Sequence, residues 1–195
     1  MKRSSIAIAI LFLVSAGIVV PQTFFSNDLV PRFTLLDRTD GISNLSVSSI
    51  LQDNQGFIWM GTQGGLNRYD GREFTVFRHD PYDENSLPHD LVQTMYFDRD
   101  HDLIWIGTYN GLSRFDLSTY TFRNYTAGEG ENALSNAVVV AIERDQDGYV
   151  WVGTLNGLNR LDPETGEVTL VETADPVIRS LYCDEQGLLW IGSYG

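Results

Sequence analysis

Residues 57–70 read FIWMGTQGGLNRYD, and near-copies follow at residues 103–116 (LIWIGTYNGLSRFD), 150–162 (VWVGTLNGLNRLD) and 188–195 (LLWIGSYG). The copies carry Trp59, Trp105, Trp151 and Trp190, which are 46, 46 and 39 residues apart. A repeat of this period indicates an array of similar supersecondary units rather than one irregular domain. The repeated phrase therefore predicts the fold class, and most of its residues are interpreted as structural.

Each repeat predicts four short strands. The first strand is expected at Val47–Asp53, Val92–Asp98, Val139–Asp145 and Ile178–Asp184 in the successive units. An Asp-x-x-Gly turn follows in three units, whereas the second unit has the longer segment Asp98–Asp102. The tryptophan strand, expected at Ile58–Thr62 in the first unit, and a Gly-Gly or Asn-Gly hairpin come next. A third strand and a fourth, the latter expected at Phe74–Phe77, Tyr120–Tyr125 or Glu167–Val171, complete a full unit. Four antiparallel strands in each unit predict an all-β fold made of β-propeller blades.

The chain divides into three predicted segments. Residues 1–20 are interpreted as a signal peptide, because Lys2 and Arg3 precede an apolar run of 15 residues. That run is shorter than the roughly 20 residues that cross a bilayer, and an uncleaved anchor is the alternative. Residues 21–32 are a linker. Residues 33–195 are predicted to form about three and a half blades: an outer strand at 33–36, units at about 45–80, 90–126 and 137–172, and an incomplete unit at 177–195.

Composition excludes several classes of function. The formal net charge is −13 and the pI is near 4.4, so the chain lacks the basic surface that binds nucleic acids or anionic membranes. The single cysteine, Cys183, cannot form an internal disulfide and is interpreted as incidental. The GTQGG segment at 61–65 lacks the lysine and helix of a phosphate loop, and the acidic segments at 98–102 and 143–148 lack the closing glutamate of a helical calcium loop. We therefore expect no cofactor, no metal site and no catalytic residue.

The repeated phrase [LIV]-W-[IVM]-G-[TS]-x-x-G-L-x-R-x-D, preceded by D-x-x-G, resembles the two-component regulator propeller repeat over residues 33–195. In that family the propeller is the exported sensory part of a bacterial receptor, followed by a membrane span and a cytoplasmic histidine kinase or diguanylate cyclase. The resemblance implies a ligand-sensing periplasmic or other extracytoplasmic region, here a fragment without the output domain. It also implies that this chain is not itself an enzyme.

The resemblance leaves the ligand and the partners open. An unknown small molecule or oligosaccharide is the expected ligand, and the rest of the receptor, a second propeller or a second copy in a homodimer are the expected partners. The alternatives are a secreted propeller enzyme, either a polysaccharide lyase or a glycosidase, and a scaffold that mediates protein contacts. A propeller enzyme needs acid–base groups that break the repeat in one blade, and none stands out here.

One column varies inside the otherwise regular phrase. The residue after Gly-Thr or Gly-Ser is Gln63, Tyr109, Leu155 or Tyr194. In a propeller this hairpin shares a face with the connections between units, which run over residues 78–90, 126–137 and 173–176. These connections are long, polar and different from one another, as specificity loops tend to be. We predict that this face binds a ligand, the alternative being plain solvent-exposed loops.

The remaining columns of the phrase are interpreted as scaffold. The four tryptophans are predicted to pack blade against blade, rather than to stack on a sugar. The structural glycines of the phrase are Gly61, Gly107 and Gly153. The arginines are Arg68, Arg114 and Arg160, each two residues before an aspartate and on the same strand face. We predict that these arginines form a structural ladder with aspartates, the alternative being a ring that grips a substrate.

Overall fold

Repeated strand patterns dominate the computed structural model, which describes residues 33–194. The described residues contain a 3₁₀ turn at Arg38–Asp40 and fourteen strands. The first three units hold β1 Val47–Gln52, β2 Ile58–Thr62, β3 Gly65–Tyr69, β4 Phe74–Phe77, β5 Val92–Asp98, β6 Leu103–Thr108, β7 Gly111–Asp116, β8 Thr121–Tyr125, β9 Val139–Arg144, β10 Val150–Thr154, β11 Gly157–Leu161 and β12 Val168–Val171. The last unit holds β13 Ile178–Cys183 and β14 Leu189–Ser193. The predicted signal peptide and linker, residues 1–32, lie outside the described residues.

The strands form one sheet per repeat. β1–β4, β5–β8 and β9–β12 are antiparallel four-stranded sheets in chain order, and β13 pairs with β14 alone. The prediction of an all-β propeller with about three and a half blades is therefore confirmed. Within residues 33–194 we find no helix long and apolar enough to cross a membrane.

Each tryptophan packs on the side of its blade that faces the next one. Trp59 is fully buried, and its ring centroid lies 5.6 Å from that of Phe115 in the second blade. Trp105 is fully buried among residues of the second and third blades. Trp151 is half-buried against the β13–β14 pair. Trp190 is 61% exposed, because no described unit follows to cover it.

The glycine that follows the tryptophan by two positions marks the closest approach of neighbouring blades. A Cβ atom built on Gly61 would lie 2.6 Å from the Val92 side chain, and one on Gly107 would lie 2.7 Å from Val139. On Gly153 it would lie 2.5 Å from Ile178. Real Cβ atoms do not approach other atoms this closely, so each glycine receives the first strand of the next blade.

The aspartate that ends the first strand holds the tryptophan of its own blade. The indole Nε1 of Trp59 donates to Asp53 Oδ2 at 2.8 Å, and Trp151 donates to Asp145 at 2.8 Å. Trp190 donates to Asp184 at 2.7 Å in the same way. The other oxygen of each aspartate accepts backbone N–H groups of the turn, as in Gln55 and Phe57 to Asp53 Oδ1 at 2.9 and 3.0 Å. The Asp-x-x-Gly turn is thus a clamp on the core as well as a chain reversal.

The second blade breaks this arrangement. Its longer turn places Asp98 against His101 Nδ1 at 2.9 Å and against Arg144 Nε of the third blade at 3.3 Å. The buried Nε1 of Trp105 consequently has no hydrogen-bond partner among the described residues. Asp102, inside the turn, adopts a φ of 51°, a conformation that the other units give to glycine.

The predicted arginine–aspartate ladder is wrong. Within residues 33–194, none of Arg68, Arg114 and Arg160 forms an ion pair with a carboxylate. Arg68 Cζ lies 4.6 Å from the ring centroid of Phe57, and Arg160 Cζ lies 3.4 Å from that of Tyr149. The guanidinium groups of Arg68 and Arg160 therefore stack on aromatic rings instead of pairing with aspartates. The aspartates two residues further on instead accept backbone N–H groups of their own turns, so their carboxylates are already engaged.

The predicted outer strand at residues 33–36 is not formed. Residues 33–37 have no regular secondary structure, and Phe33 and Leu35 are 93% and 86% exposed. An outer strand needs the third strand of a blade as its hydrogen-bonding partner. Every third strand among residues 33–194 already pairs with the fourth strand of its own unit.

Candidate functional site

The hairpin between the second and third strands has the same backbone in each full unit. Thr62 Oγ1 donates to the Gly65 carbonyl at 2.9 Å and accepts the Gly64 N–H at 3.0 Å. Thr108 and Thr154 repeat both bonds in their own hairpins. The threonine therefore fixes the turn, and the residue after it is free to vary in side chain.

The four predicted ligand residues occupy equivalent positions. The backbone N–H groups of Gln63, Tyr109, Leu155 and Tyr194 donate to the carbonyls of Ser46, Leu91, Val138 and Val177 at 3.2–3.3 Å. Their side chains are exposed, from 37% for Leu155 to 75% for Tyr194. No hydrogen bond or ring contact joins any two of them in the part of the chain that the structure describes. The structure places them on one end of successive blades, one per blade, rather than in a single cluster.

The connections between units meet these hairpins. The Gly111 N–H donates to the Ala137 carbonyl at 2.7 Å, and the Gly157 N–H donates to the Pro176 carbonyl at 2.7 Å. The His89 ring lies 6.4 Å from the Tyr109 ring, measured between centroids. Hairpins and connections therefore share one end of the blades, which we call the hairpin face.

The first connection, residues 78–91, is braced internally. Its N–H at His79 donates to Asp90 Oδ1 at 2.7 Å, and the Asp80 N–H donates to Ser86 Oγ at 2.9 Å. Leu87 is fully buried and anchors the loop in the core between the first two blades. Tyr82 is 97% exposed at the tip. A braced loop with an exposed aromatic tip presents a binding group with little further ordering on contact.

A cavity of about 420 Å³ opens on the hairpin face beside Leu155. It is lined by Ser135, Asn156, Gly157, Leu170, Val171, Glu172, Thr173 and Pro176. Its side chains are both apolar (Leu170, Val171 and Pro176) and polar, and Glu172 supplies its one carboxylate. A single carboxylate without a second acid–base group favours binding over acid–base chemistry.

A buried asparagine on the third strand of the first and third blades holds the segment that precedes the first strand, a role not predicted from the sequence. Asn67 is fully buried, and its Oδ1 accepts the Ser43 N–H at 2.8 Å. Asn159 accepts the Ser135 N–H at 2.9 Å in the third blade. The signal was present in the phrase, because an asparagine on the core face of a strand needs a specific hydrogen-bond partner.

The opposite end of the blades carries two titratable groups with raised pKa values, Glu143 and Cys183. Burial raises the pKa of the Glu143 carboxyl. Burial, aided by the charges of Asp145 and Glu143, raises the pKa of the Cys183 thiol and keeps it protonated. A protonated thiol is a poor nucleophile. In the described part of the chain, no group of three His, Cys, Asp or Glu side chains is placed to hold a metal ion.

The repeats of this chain are similar to those of known proteins. A family model described as two component regulator propeller matches residues 41–64, 86–110, 133–156 and 173–195. A stretch of 62 residues is 42% identical to Histidine kinase P4 of Formosa agariphila. That stretch is 32% of this chain and 4% of the kinase.

Solved structures share the architecture. The extracellular domain of a protein described as a hybrid two component system from B. thetaiotaomicron is 28% identical, with a TM-score of 0.75 over 82% of this chain and 24% of that one. Virginiamycin B lyase from Staphylococcus aureus is 13% identical, with a TM-score of 0.58 over 76% of this chain and 49% of the lyase, a likeness of fold alone. The chain thus spans about a quarter or less of the two-component relatives that it matches. From the four successive matches to one repeat, the chain belongs to the two-component regulator propeller family.

Proposed function

We propose that this chain is the ligand-sensing propeller region of a bacterial transmembrane signalling receptor, located on the periplasmic side of the cytoplasmic membrane. The observation that carries the proposal is the run of four family repeats, together with 28% identity to the extracellular domain of a hybrid two-component system. The parent receptor would carry a histidine kinase or diguanylate cyclase as its output. The chain itself has a binding role and no catalytic one.

The hairpin face supports the sensing role. Its scaffold repeats from blade to blade, but the exposed side chain at the turn changes from glutamine to tyrosine to leucine. The adjoining loops are braced and differ between units. A ligand that binds one arrangement of this face better than another shifts the population of receptor states, which is the physical basis of sensing.

The test is made in the receptor that contains this chain. Tyr109→Ala and Gln63→Ala are expected to weaken the response to ligand by about tenfold, since each removes contact area equivalent to about 1.4 kcal/mol. Gln55→Ala is the matched control, because Gln55 is an exposed glutamine in the β1–β2 turn at the opposite end. Autophosphorylation or cyclase output is measured against ligand concentration. Unchanged responses in both hairpin variants would remove the hairpin face from the proposal.

The ligand class has a separate test. Thermal melts of the extracellular region are recorded with a set of oligosaccharides and with small-molecule metabolites. A rise in melting temperature that Gln63→Ala abolishes assigns the ligand to the hairpin face. Turnover of a polysaccharide by the same sample would instead favour the enzyme alternative.

A further inference from the structure

A second cleft lies between the outermost strand of the second blade and the β11–β12 turn of the third blade. Its volume is about 460 Å³. It is lined by the end of β8 at residues 123–125, by the loop at 126–133 and by the turn at Thr165 and Gly166. None of Gln63, Tyr109, Leu155 and Tyr194 belongs to it, but its loop is part of the 126–137 connection, so the inference rests on the proposed function and deepens it.

Two side chains of this cleft, those of Arg123 and Tyr125, offer hydrogen-bond donors that are unused among the described residues. Tyr125 lines the cleft and is only 6% exposed, yet its buried hydroxyl has no partner among the described residues. Arg123 lines the cleft beside it, with Cζ 5.3 Å from the Tyr125 ring centroid, and makes no ion pair within residues 33–194. A buried hydroxyl without a partner is costly, so its presence calls for an explanation.

A second guanidinium stands next to Arg123. Arg114 on β7 is its direct cross-strand partner. The buried Nε of Arg114 has no hydrogen-bond partner among the described residues, but the same holds for Arg68 and Arg160, so only the cross-strand arginine is particular to the second blade. Like charges directly opposite on a sheet are destabilising. The first and third blades avoid this pair, because the partners of Arg68 and Arg160 are Thr75 and Thr169.

The acceptors near the cleft do not neutralise this pair. Asn124 Oδ1 already accepts from Ser113 Oγ at 2.7 Å, and Asn132 Oδ1 accepts the Val168 N–H at 3.2 Å. Glu131 lines the loop side of the cleft but forms no ion pair with Arg123. Burial raises the pKa of Tyr125, so its hydroxyl keeps its proton and stays a donor.

We propose that this cleft binds an oxyanion group, held by the Arg123 guanidinium and the Tyr125 hydroxyl with Arg114 adding positive charge behind them. A carboxylate, sulfate or phosphate supplies the acceptors that these donors lack. Hydrogen bonds from guanidinium to oxyanions are short, charge-assisted and about twice as strong as neutral ones. The cross-strand arginine pair of the second blade, which the first and third blades lack, is thereby explained by a ligand.

The test uses the full chain and three probes: sodium acetate, sodium sulfate and sodium phosphate. Each is titrated by calorimetry at constant ionic strength, with sodium chloride as the reference. We expect at least one oxyanion to bind above chloride. Arg123→Thr, which installs the residue of the other blades at this position, is expected to lower that affinity at least tenfold. Tyr125→Phe, which removes only the hydroxyl, is expected to lower it several-fold.

The matched control is Arg179→Thr. Arg179 Cζ also lies over a tyrosine ring, 5.2 Å from the centroid of Tyr194, but without a second arginine or a buried hydroxyl. This variant is expected to bind as the unmodified chain does, and circular dichroism checks that every variant is folded. The tightest of the three probes assigns the group as a carboxylate, a sulfate or a phosphate. Binding no stronger than chloride, or binding that Arg123→Thr leaves unchanged, overturns the proposal.

Discussion

Trp59 and Trp105 occupy the same position in consecutive blades, and both are fully buried. They differ in one interaction: the Trp59 indole donates to Asp53, whereas the Trp105 indole has no partner in the described structure. The cause is one additional residue in the turn after β5. That residue turns the carboxylate of Asp98 away from its own tryptophan and toward Arg144 of the next blade.

The difference separates two roles that the repeat usually combines. Packing of the tryptophan between blades does not need the aspartate, since Trp105 is as buried as Trp59. In the first blade the aspartate accepts hydrogen bonds from its own turn and indole. In the second blade it pairs with an arginine of the next blade. A change of one residue in turn length therefore exchanges a bond inside a blade for a bond between blades.

The largest expected effect comes from removing the carboxylate of the regular turn. Asp53→Ala leaves three donors without their acceptor, namely the Trp59 indole and the backbone N–H groups of Gln55 and Phe57. We expect a loss of about 3–4 kcal/mol in the free energy of unfolding. Asp98→Ala strips no indole and is expected to cost about 1–2 kcal/mol, as for a partly exposed ion pair. Urea unfolding measures both, and equal losses would contradict the comparison.

A smaller difference is expected when the tryptophans themselves are changed. Trp59→Phe and Trp105→Phe remove similar volume from the two cores, but only the first breaks a hydrogen bond to a carboxylate. Trp59→Phe is therefore expected to cost about 1–2 kcal/mol more than Trp105→Phe. Thermal and urea unfolding of the two variants give this difference directly. A larger cost for Trp105→Phe would show that its indole nitrogen has a partner after all.

Restoring the regular turn to the second blade tests whether turn length directs the Asp98 carboxylate. Deletion of His101 combined with Asp102→Gly gives the Asp-x-x-Gly sequence of the other units. The Asp98 carboxylate is then expected to accept the Trp105 indole, with a gain of about 1 kcal/mol offset in part by the loss of the Arg144 contact. Hydrogen exchange of the Trp105 indole N–H should slow at the same time. An unchanged exchange rate would mean that turn length does not direct the carboxylate.

The smallest effect concerns the pH dependence of the exposed Trp190–Asp184 hydrogen bond in the last unit. The hydrogen bond from Trp190 is the main cause that lowers the pKa of Asp184 below its ordinary value of 3.8. A pKa lowered by folding stabilises the folded state above the ordinary pKa, and this stabilisation is lost as the pH falls through the lowered one. Trp190→Phe should move the Asp184 pKa back toward 3.8, as followed by NMR titration of the carboxyl carbon. A pKa that does not move would assign the shift to the backbone N–H groups of the turn.

Much of the fold was predictable because the repeat presents the same strands several times. The predicted strands Ile58–Thr62 and Phe74–Phe77 match β2 and β4 residue for residue. The fourth strand of the second blade begins one residue later than predicted, since Tyr120 has a φ of 57° and belongs to the turn. The alternation of apolar and polar residues and the residue types of the turns are local signals. Each repeat therefore supports the strand prediction independently.

The polar partners were harder to predict. The Asp-x-x-Gly sequence is sufficiently explained by a turn. The sequence of a single unit therefore does not indicate that the aspartate also accepts a hydrogen bond from the indole. The spacing from aspartate to tryptophan carried the missing signal: it is six residues in three units and seven in the second. The arginine ladder failed for a similar reason. The spacing of Arg160 and Asp162 predicted that both side chains share one strand face. The ring that Arg160 contacts belongs to Tyr149, which precedes the neighbouring strand, and no spacing within one strand indicates that contact.

The glycine contact between blades has a consequence for how such arrays grow. Val92 and Val139 fit over Gly61 and Gly107 with the same side chain and nearly the same spacing. The joint between neighbours is therefore interchangeable: loss of one unit brings a β-branched side chain, Val139 or Ile178, to a glycine that already accommodates one. Duplication or loss of whole units then preserves the packing between the remaining blades. The loops and hairpin residues of each unit are gained or lost together with that unit.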